Sequence, residues 1–203
     1  MLTANQTVED ILKESEAWLT GHFLLTGGKH SDQYLQCQKV LRYPRKGAIL
    51  ANMLADQLME QSIIPEVVAG PAMGAIHWEL LVAQAFDNRS NEPVIGVFAE
   101  RPAGSDEFEI RRGIELKPNQ KVLVVEDVTT TGGSARKVCE LVRKLGANPI
   151  AVAAIVDRSG SAVQFDVPFY SLLKLNLSVY EPDQCPMCKE GKPVVKPGSS
   201  KKN

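Results

Sequence analysis

The sequence predicts an α/β domain with a central parallel β-sheet flanked by helices. Two observations carry that expectation. Short β-branched runs, EVVAG (66–70), PVIGVFAE (93–100), KVLVVE (121–126) and PIAVAAIVD (149–157), alternate with stretches of helical periodicity. The runs are also continuously apolar, the pattern of strands buried on both faces. With 203 residues, 44% hydrophobic and 23% charged, the chain is an ordinary globular domain rather than a disordered one. A chain of that length buries roughly 70% of its unfolded surface.

Taken in order, residues 7–19 read as an amphipathic helix. Thr7 caps it, Asp10 follows three residues later, and Val8, Ile11, Leu12, Ser15 and Leu19 share a face. GHFLLTGGKHS (21–31) is punctuated by glycines and reads as a turn between extended pieces. A second helix follows Pro44, with Leu50, Met53, Leu54 and Leu58 at helical spacing. Residues 75–86 and 134–145 are the helices between the strands. In the second, Ala135, Val138, Cys139, Val142 and Leu145 line one side, and Gly146 stops it. VPFYSLLKL (167–175) adds an edge strand. The tail, 190–203, is rich in Lys, Pro, Gly and Ser and is expected to be mobile at its end.

Several function classes are excluded. No apolar run approaches ~18 residues, so no membrane span is expected. MLTANQTVED has neither a basic start nor an apolar core, which points to the cytoplasm. A net charge of −1, from 23 Lys+Arg against 24 Asp+Glu, argues against a nucleic-acid binder. It leaves room for a small anionic substrate, which needs only a few local donors. The four cysteines make no disulfide framework. Cys185 and Cys188 form a C-x-x-C, but tetrahedral zinc wants four ligands and no second C-x-x-C or paired His accompanies it. Reduced thiols shaping a turn are the expectation, no protein metal ligands are assigned, and the motif's role stays open.

The window VLVVEDVTTTGGSARKVCELV (122–142) carries the chemistry. An apolar strand ends in two adjacent acids, Glu126 and Asp127. Then come Thr129, Thr130, Thr131, Gly132, Gly133 and Ser134, and a helix begins. In open α/β sheets ligands sit at the carboxyl ends of strands. Small residues there let backbone N–H groups approach a phosphate, and the helix N-terminus favours negative charge. Paired acids beside a phosphate need something to absorb their charge. A sugar cis-diol does so by donating two O–H groups, helped by a divalent cation. The window is neither a P-loop nor a dinucleotide fingerprint, since it has no Gly-Lys-[Ser/Thr] and no G-x-G-x-x-G.

This window resembles the phosphoribosyl-diphosphate (PRPP) motif of type I phosphoribosyltransferases. GHFLLTGGKHSDQYLQC (21–37), AGPAMGA (69–75), VDR (156–158) and CPMCKEGKPVVKPGS (185–199) are similar, in the same order, to the orotate phosphoribosyltransferase family. The resemblance implies a type I phosphoribosyltransferase-like fold with a small N-terminal hood subdomain. It divides the chain into a hood segment (1–45), an α/β core (46–180) and a C-terminal C-x-x-C segment with a basic tail (181–203). It also implies a glycosyltransferase (pentosyltransferase) of de novo pyrimidine (UMP) biosynthesis, converting PRPP and orotate to orotidine 5'-phosphate and pyrophosphate with Mg²⁺. Two readings compete: a PRPP-binding regulator without catalysis, and a purine or xanthine phosphoribosyltransferase.

By the same resemblance, Glu126 and Asp127 hold the ribose hydroxyls, with Asp127 a catalytic candidate. Val128, Thr129, Thr130, Thr131, Gly132, Gly133 and Ser134 wrap the 5-phosphate. Thr130 also touches orotate, Arg158 pairs with the orotate carboxylate, and Tyr34 lies against the pyrimidine. Ala72 and Met73 belong to the pyrophosphate loop, where the family often carries a non-proline cis peptide. Relatives often have lysine where Gly74 and Thr26 stand, while Lys29 lies three residues beyond Thr26. Residues 101–113, RPAGSDEFEIRRG, match a lid that in the family reaches the neighbouring subunit's site, which implies a homodimer. Family lids carry lysines and a histidine, whereas this one carries Asp106, Glu107 and Glu109 with Arg101, Arg111 and Arg112 at its borders. Arg101, as a catalytic candidate, and one of Arg111 or Arg112 are therefore expected to meet the pyrophosphate while the acidic tip stays in solvent. The plainer expectation is that all three arginines pair with neighbouring acids.

Overall fold

A computed structural model describes residues 6–25, 27–160 and 162–197 of the chain. Along the chain run α1 (Val8–Glu14), β1 (Trp18–Leu24), β2 (His30–Leu35), α2 (Gln38–Leu41), α3 (Pro44–Glu60), β3 (Val67–Pro71) and α4 (Ile76–Asp87). They are followed by β4 (Ile95–Ala99), β5 (Lys121–Thr129), α5 (Gly133–Lys144), β6 (Asn148–Asp157), β7 (Phe169–Lys174), β8 (Val179–Tyr180) and α6 (Pro186–Lys189). Two compact units result: the described residues of Met1–Val40 with Asn176–Asn203, and Leu41–Leu175. Among the described residues no helix is long and apolar enough to cross a membrane.

In the first unit, α1 opens at Thr7 with a reciprocal capping box. The Thr7 hydroxyl accepts from the Asp10 amide and the Asp10 carboxylate accepts from the Thr7 amide, both at 3.1 Å. The helix ends at Glu14, not at residue 19 as its periodicity predicts. Glu16 turns left-handed (φ 55), so its amide returns to the Lys13 carbonyl and that of Ala17 to Leu12. This closure normally uses glycine, so the sequence hides it. The chain is thereby released into β1, which forms the expected hairpin with β2 across the glycine turn. β8 pairs antiparallel with β2, giving the order β1-β2-β8.

The C-terminal segment returns to the same hairpin. The Val195 amide donates to the His22 carbonyl and the Leu24 amide to the Val195 carbonyl, each at 2.8 Å. The expected division, which set 181–203 apart, is corrected accordingly: what is described of that stretch shares a unit with the N-terminal residues. The premise that no histidine accompanies the C-x-x-C is corrected too. His22 lies beside Cys185 from 163 residues away in the chain, and His30 lies beside Cys188. Thr26 and residues 198–203, the end of the tail expected to be mobile, lie outside the described residues.

The second unit holds a five-stranded sheet, ordered β4-β3-β5-β6-β7 and parallel throughout. β7 is the edge strand the sequence predicts. The β3-α4-β4 and β5-α5-β6 crossovers run in opposite directions across the sheet, so the right-handed rule puts α4 and α5 on opposite faces. Alternate strand residues follow suit. Val67, Ala69, Val122, Val124 and Val152 pack with Ala135, Val138, Cys139 and Val142 of α5. Val68, Leu123 and Val125, which point the other way, are fully buried as well. α3 starts with Pro44 at its first turn and buries Leu50, Leu54 and Leu58, while Met53 is only half-buried. α5 ends in a glycine-assisted closure at Gly146 (φ 82), with the Ala147 amide on the Val142 carbonyl.

A buried carboxyl group of α4 departs from the apolar pattern. Glu79 of α4 is 4% exposed and lies against β3 and β4, beside Gly70 and Gly96. Its Oε2 has no hydrogen-bond partner among the described residues. Burial pushes its pKa from 4.5 up to about 8. The unfolded chain then loses this proton near 4.5 while the folded chain holds it to about 8, so the Glu79 contribution to stability falls as pH rises through that window. Glu79→Gln is expected to melt higher than the parent at pH 8, with the gap closing as pH falls toward 4.5. Thermal melts of both proteins at several pH values check this.

Candidate functional site

The strand order reverses between β3 and β5, and a crevice opens there at the carboxyl ends. β5 pairs with β3 only over Val122–Val124 but with β6 as far as Thr129. Beyond Val124 the β3 side of the strand is thus open, and Glu126 and Asp127 occupy that stretch. Both are half-buried, as is Val128, while Thr129 is buried. Thr130 and Thr131 are exposed and lead through Gly132 into α5. Gly132 is left-handed (φ 72), and a Cβ there would come within 2.8 Å of both Phe165 Cζ and Val163 Cγ1. Arg136 pins the loop by donating to the Thr131 carbonyl at 2.9 Å and the Gln164 carbonyl at 3.2 Å. Gly133 and Ser134 form the first turn of α5, where unused amides favour an anion.

The loop after β3 closes on the same place. Its Ala72–Met73 peptide is cis, the Ala72 amide donates to the Ala99 carbonyl at 2.7 Å, and Met73 is 80% exposed. A Cβ on Gly74 would sit 3.2 Å from Asp127 Oδ1. A side chain at Gly74 would require that carboxylate to give by a few tenths of an ångström.

Electrostatically the crevice favours neutral acids. Burial, then the charge of Asp127, pushes Glu126 up to about 8, against the pull of the Ala135 amide and Arg101. Burial also raises Asp127, although the Val128 amide donates to its Oδ1 at 2.8 Å. A ligand that donates O–H groups or brings a cation relieves this cost. Arg158, half-buried, follows β6 with its amide on the Thr129 carbonyl at 2.8 Å. It therefore stands at the carboxyl end of the strand beside β5.

Arg101 and Arg112 line a cavity of ≈ 450 Å³ together with Ala72, Met73, Ile76 and Phe98. Each lid arginine has an acid nearby: Arg101 with Asp106 at 4.0 Å, Arg111 with Glu109 at 3.9 Å and Arg112 with Glu100 at 3.3 Å. Arg101 also stacks 4.5 Å from the ring of Phe108. The acidic tip is exposed as expected, but it is not free in solvent. Asp106 pairs with Lys137 and Glu107 with Lys144, both on α5. Phe108 is buried against the α5 face of the sheet. These three anchors were missed in the sequence; the visible signal was two lysines seven residues apart on one helix opposite adjacent acids.

The first unit carries the remaining candidates. Tyr34 lies half-buried on β2, 5.8 Å from the ring of Phe23. Lys29 pairs with Glu181 at 2.7 Å.

Residues 39–188 match the phosphoribosyl transferase domain family. The chain is 46% identical over 192 residues to the orotate phosphoribosyltransferase of Thermotoga maritima, covering 95% of this chain and 97% of that protein. It is 47% identical over 191 residues to that of Caldicellulosiruptor saccharolyticus, covering 94% and 95%. Among solved structures it is similar to orotate phosphoribosyltransferase from Aeropyrum pernix. That match has a TM-score of 0.66 at 25% identity, over 83% of this chain and 94% of the other.

Gly132→Ala tests the loop. A left-handed non-glycine residue costs about 1–2 kcal/mol, and the Cβ also collides with Phe165 and Val163. The variant is expected to melt lower and to lose the thermal upshift expected of the parent with inorganic phosphate. Differential scanning fluorimetry with and without phosphate measures both.

Proposed function

Because the chain belongs to the orotate phosphoribosyltransferase family, we infer that it transfers the 5-phosphoribosyl group of PRPP to orotate, giving orotidine 5'-phosphate and pyrophosphate. One juxtaposition carries the reading: two adjacent acids where the strand order reverses, leading directly into a Thr/Gly loop at a helix N-terminus. The acids suit the ribose hydroxyls, which donate to Glu126 and Asp127. The loop from Val128 to Ser134 suits the 5-phosphate, with N–H and hydroxyl donors converging on it. Arg158 offers a planar guanidinium to the orotate carboxylate. Thr130 is the further candidate on the pyrimidine side, and Tyr34 is a candidate by the family resemblance alone.

An orotate ring nitrogen then bonds to ribose C1 as the C1–O bond to pyrophosphate breaks, with inversion. The transition state resembles an oxocarbenium ion, so the residues mainly position the partners and stabilise departing negative charge. Arg101 is the catalytic candidate for that charge. One of Arg111 and Arg112 is the second candidate. Mg²⁺ fits the crevice by donor chemistry, because Glu126 and Asp127 are oxygen donors that burial disfavours as charges. When bound it supplies neutralisation of the diphosphate.

The functional unit in this reading is a homodimer whose lid, residues 101–113, serves the neighbouring subunit's site. In this reading the activity belongs in the cytoplasm. Turnover of orotate, uracil, adenine, hypoxanthine and xanthine at one fixed PRPP concentration tests the substrate. Orotate is expected to be used and the rest not. PRPP binding without turnover of any base would mark a regulator instead.

Two variants separate the subsites. Asp127→Asn is expected to weaken PRPP binding by roughly ten- to a hundredfold, the loss of one charged hydrogen bond of about 1.5–3 kcal/mol, without lowering the melting temperature. Arg158→Ala should weaken orotate by a similar factor and spare PRPP. Calorimetric titration of each ligand measures both, and orotate binding unaltered by Arg158→Ala removes that assignment.

Subunit exchange tests the lid. Arg101→Ala and Asp127→Asn, each inactive alone, should regain part of the activity when mixed, because one site of the mixed dimer carries neither change. A demonstrably mixed dimer without rescue rejects the crossing lid.

A further inference from the structure

Four metal-ligating side chains outside the phosphoribosyl site converge in the first unit: His22, His30, Cys185 and Cys188, whose ligand atoms all lie within 4.8 Å of one another. Three of the four residues are buried; only Cys188 is exposed. They come from a hairpin at one end of the chain and a C-x-x-C at the other, and all belong to one unit. We propose that His22 Nε2, His30 Nδ1, Cys185 Sγ and Cys188 Sγ form a structural zinc site that staples the C-terminal segment to the β1–β2 hairpin.

The spacing is that of a tetrahedron around one ion. Zn–S bonds of about 2.3 Å and Zn–N bonds of about 2.0–2.1 Å put S and N about 3.5 Å apart, and two N about 3.4 Å apart. Here Cys185 Sγ and His22 Nε2 are 3.5 Å apart, Cys188 Sγ and His22 Nε2 3.7 Å, and Cys188 Sγ and His30 Nδ1 3.3 Å. The two ring nitrogens are closer, at 2.8 Å, a hydrogen-bond distance. Of these four contacts an ion has to widen one, by about half an ångström; the two remaining pairs, Cys185 with Cys188 and with His30, lie within 4.8 Å.

The surroundings already orient the ligands. His22 Nδ1 lies 2.8 Å from the Lys192 carbonyl, which can only accept. Nδ1 thus carries the proton and Nε2 presents its lone pair to the cluster, an arrangement typical of metal-bound histidine. A β-bulge between Thr20 and Phe23 distorts β1 at this point, and bulges often re-aim a side chain next to a site. α6 forms the turn between the cysteines, closed by the Lys189 amide on the Cys185 carbonyl and the Gly191 amide on that of Cys188. The Lys192 amide meets the Met187 carbonyl, which ties the turn to the residue that orients His22.

Two thiolates and two imidazoles in a tetrahedron select zinc among the common divalent ions, and four protein ligands leave no open position for a substrate. On binding, the two thiols release their protons to solvent and the His30 Nδ1 proton moves to Nε2. The role is structural, which fits the size of the unit. With roughly 70 residues split between the two ends of the chain, it lies in the range where a hydrophobic core alone rarely suffices.

The test uses the full chain, reduced and stripped of metal, with Co²⁺ as the probe. The expected result is one Co²⁺ per chain with the intense visible bands and sulfur charge transfer of a tetrahedral two-thiolate site, displaced by Zn²⁺. Chain purified with zinc should hold one zinc by elemental analysis and melt lower once a chelator removes it. Cys188→Ser, the exposed ligand, should weaken zinc at least tenfold, and His30→Gln should do the same. Weak octahedral Co²⁺ spectra, no metal retained by reduced protein, or full zinc occupancy in a Cys185→Ser/Cys188→Ser double variant would each overturn the site. The Co²⁺ spectrum of the unaltered chain decides the matter even if a variant fails to fold.

Discussion

Two carboxyl groups set side by side at the end of β5 are the constraint on which the α/β unit depends. The fold reverses its strand order there, so β5 loses its β3 neighbour after Val124 and the crevice opens beside Glu126 and Asp127. Burial disfavours both charges, a cost that a ligand donating O–H groups or bringing a cation would relieve. The neighbouring features serve that arrangement. Gly74 brings the β3 loop close to Asp127, where a Cβ would sit 3.2 Å from Oδ1, and Gly132 lets the loop after β5 turn under Val163 and Phe165, where a Cβ would collide at 2.8 Å.

The lid is held by a few weak links and one firmer contact. Its ion pairs join exposed groups, and such pairs are worth about 0–1 kcal/mol each. Breaking the pair with Asp106 or Glu100 therefore costs Arg101 or Arg112 little. Phe108 is different, because it is buried in the α5 side of the core and fixes where the loop returns. A loop anchored by an aromatic side chain and otherwise tied by exchangeable charges suits repeated opening and closing.

The two units solve the problem of stability differently. The α/β unit packs both faces of a five-stranded sheet and needs no further link. The smaller unit has a three-stranded antiparallel sheet whose third strand is two residues long. It draws on both chain ends, joined by Val195 hydrogen bonds to the hairpin and by the His22, His30, Cys185 and Cys188 cluster.

Local chemistry was legible from the residues alone. Apolar runs marked β3 to β7, helical spacing marked α3, α4 and α5, Thr7 and Asp10 marked the start of α1, and the acids followed by Thr and Gly marked the turn from β5 into α5. Each signal lies within a few residues, so neighbouring side chains and backbone preferences decide it. The end of α1 escaped because Glu16, not glycine, takes the left-handed turn, which the Glu16–Lys13 and Ala17–Leu12 hydrogen bonds close. Lys137 beside Asp106, Gly74 against Asp127 and His22 beside Cys185 were settled by the tertiary structure. Their partners are far apart in the chain, and a distance in space depends on how whole elements pack, which no local pattern encodes.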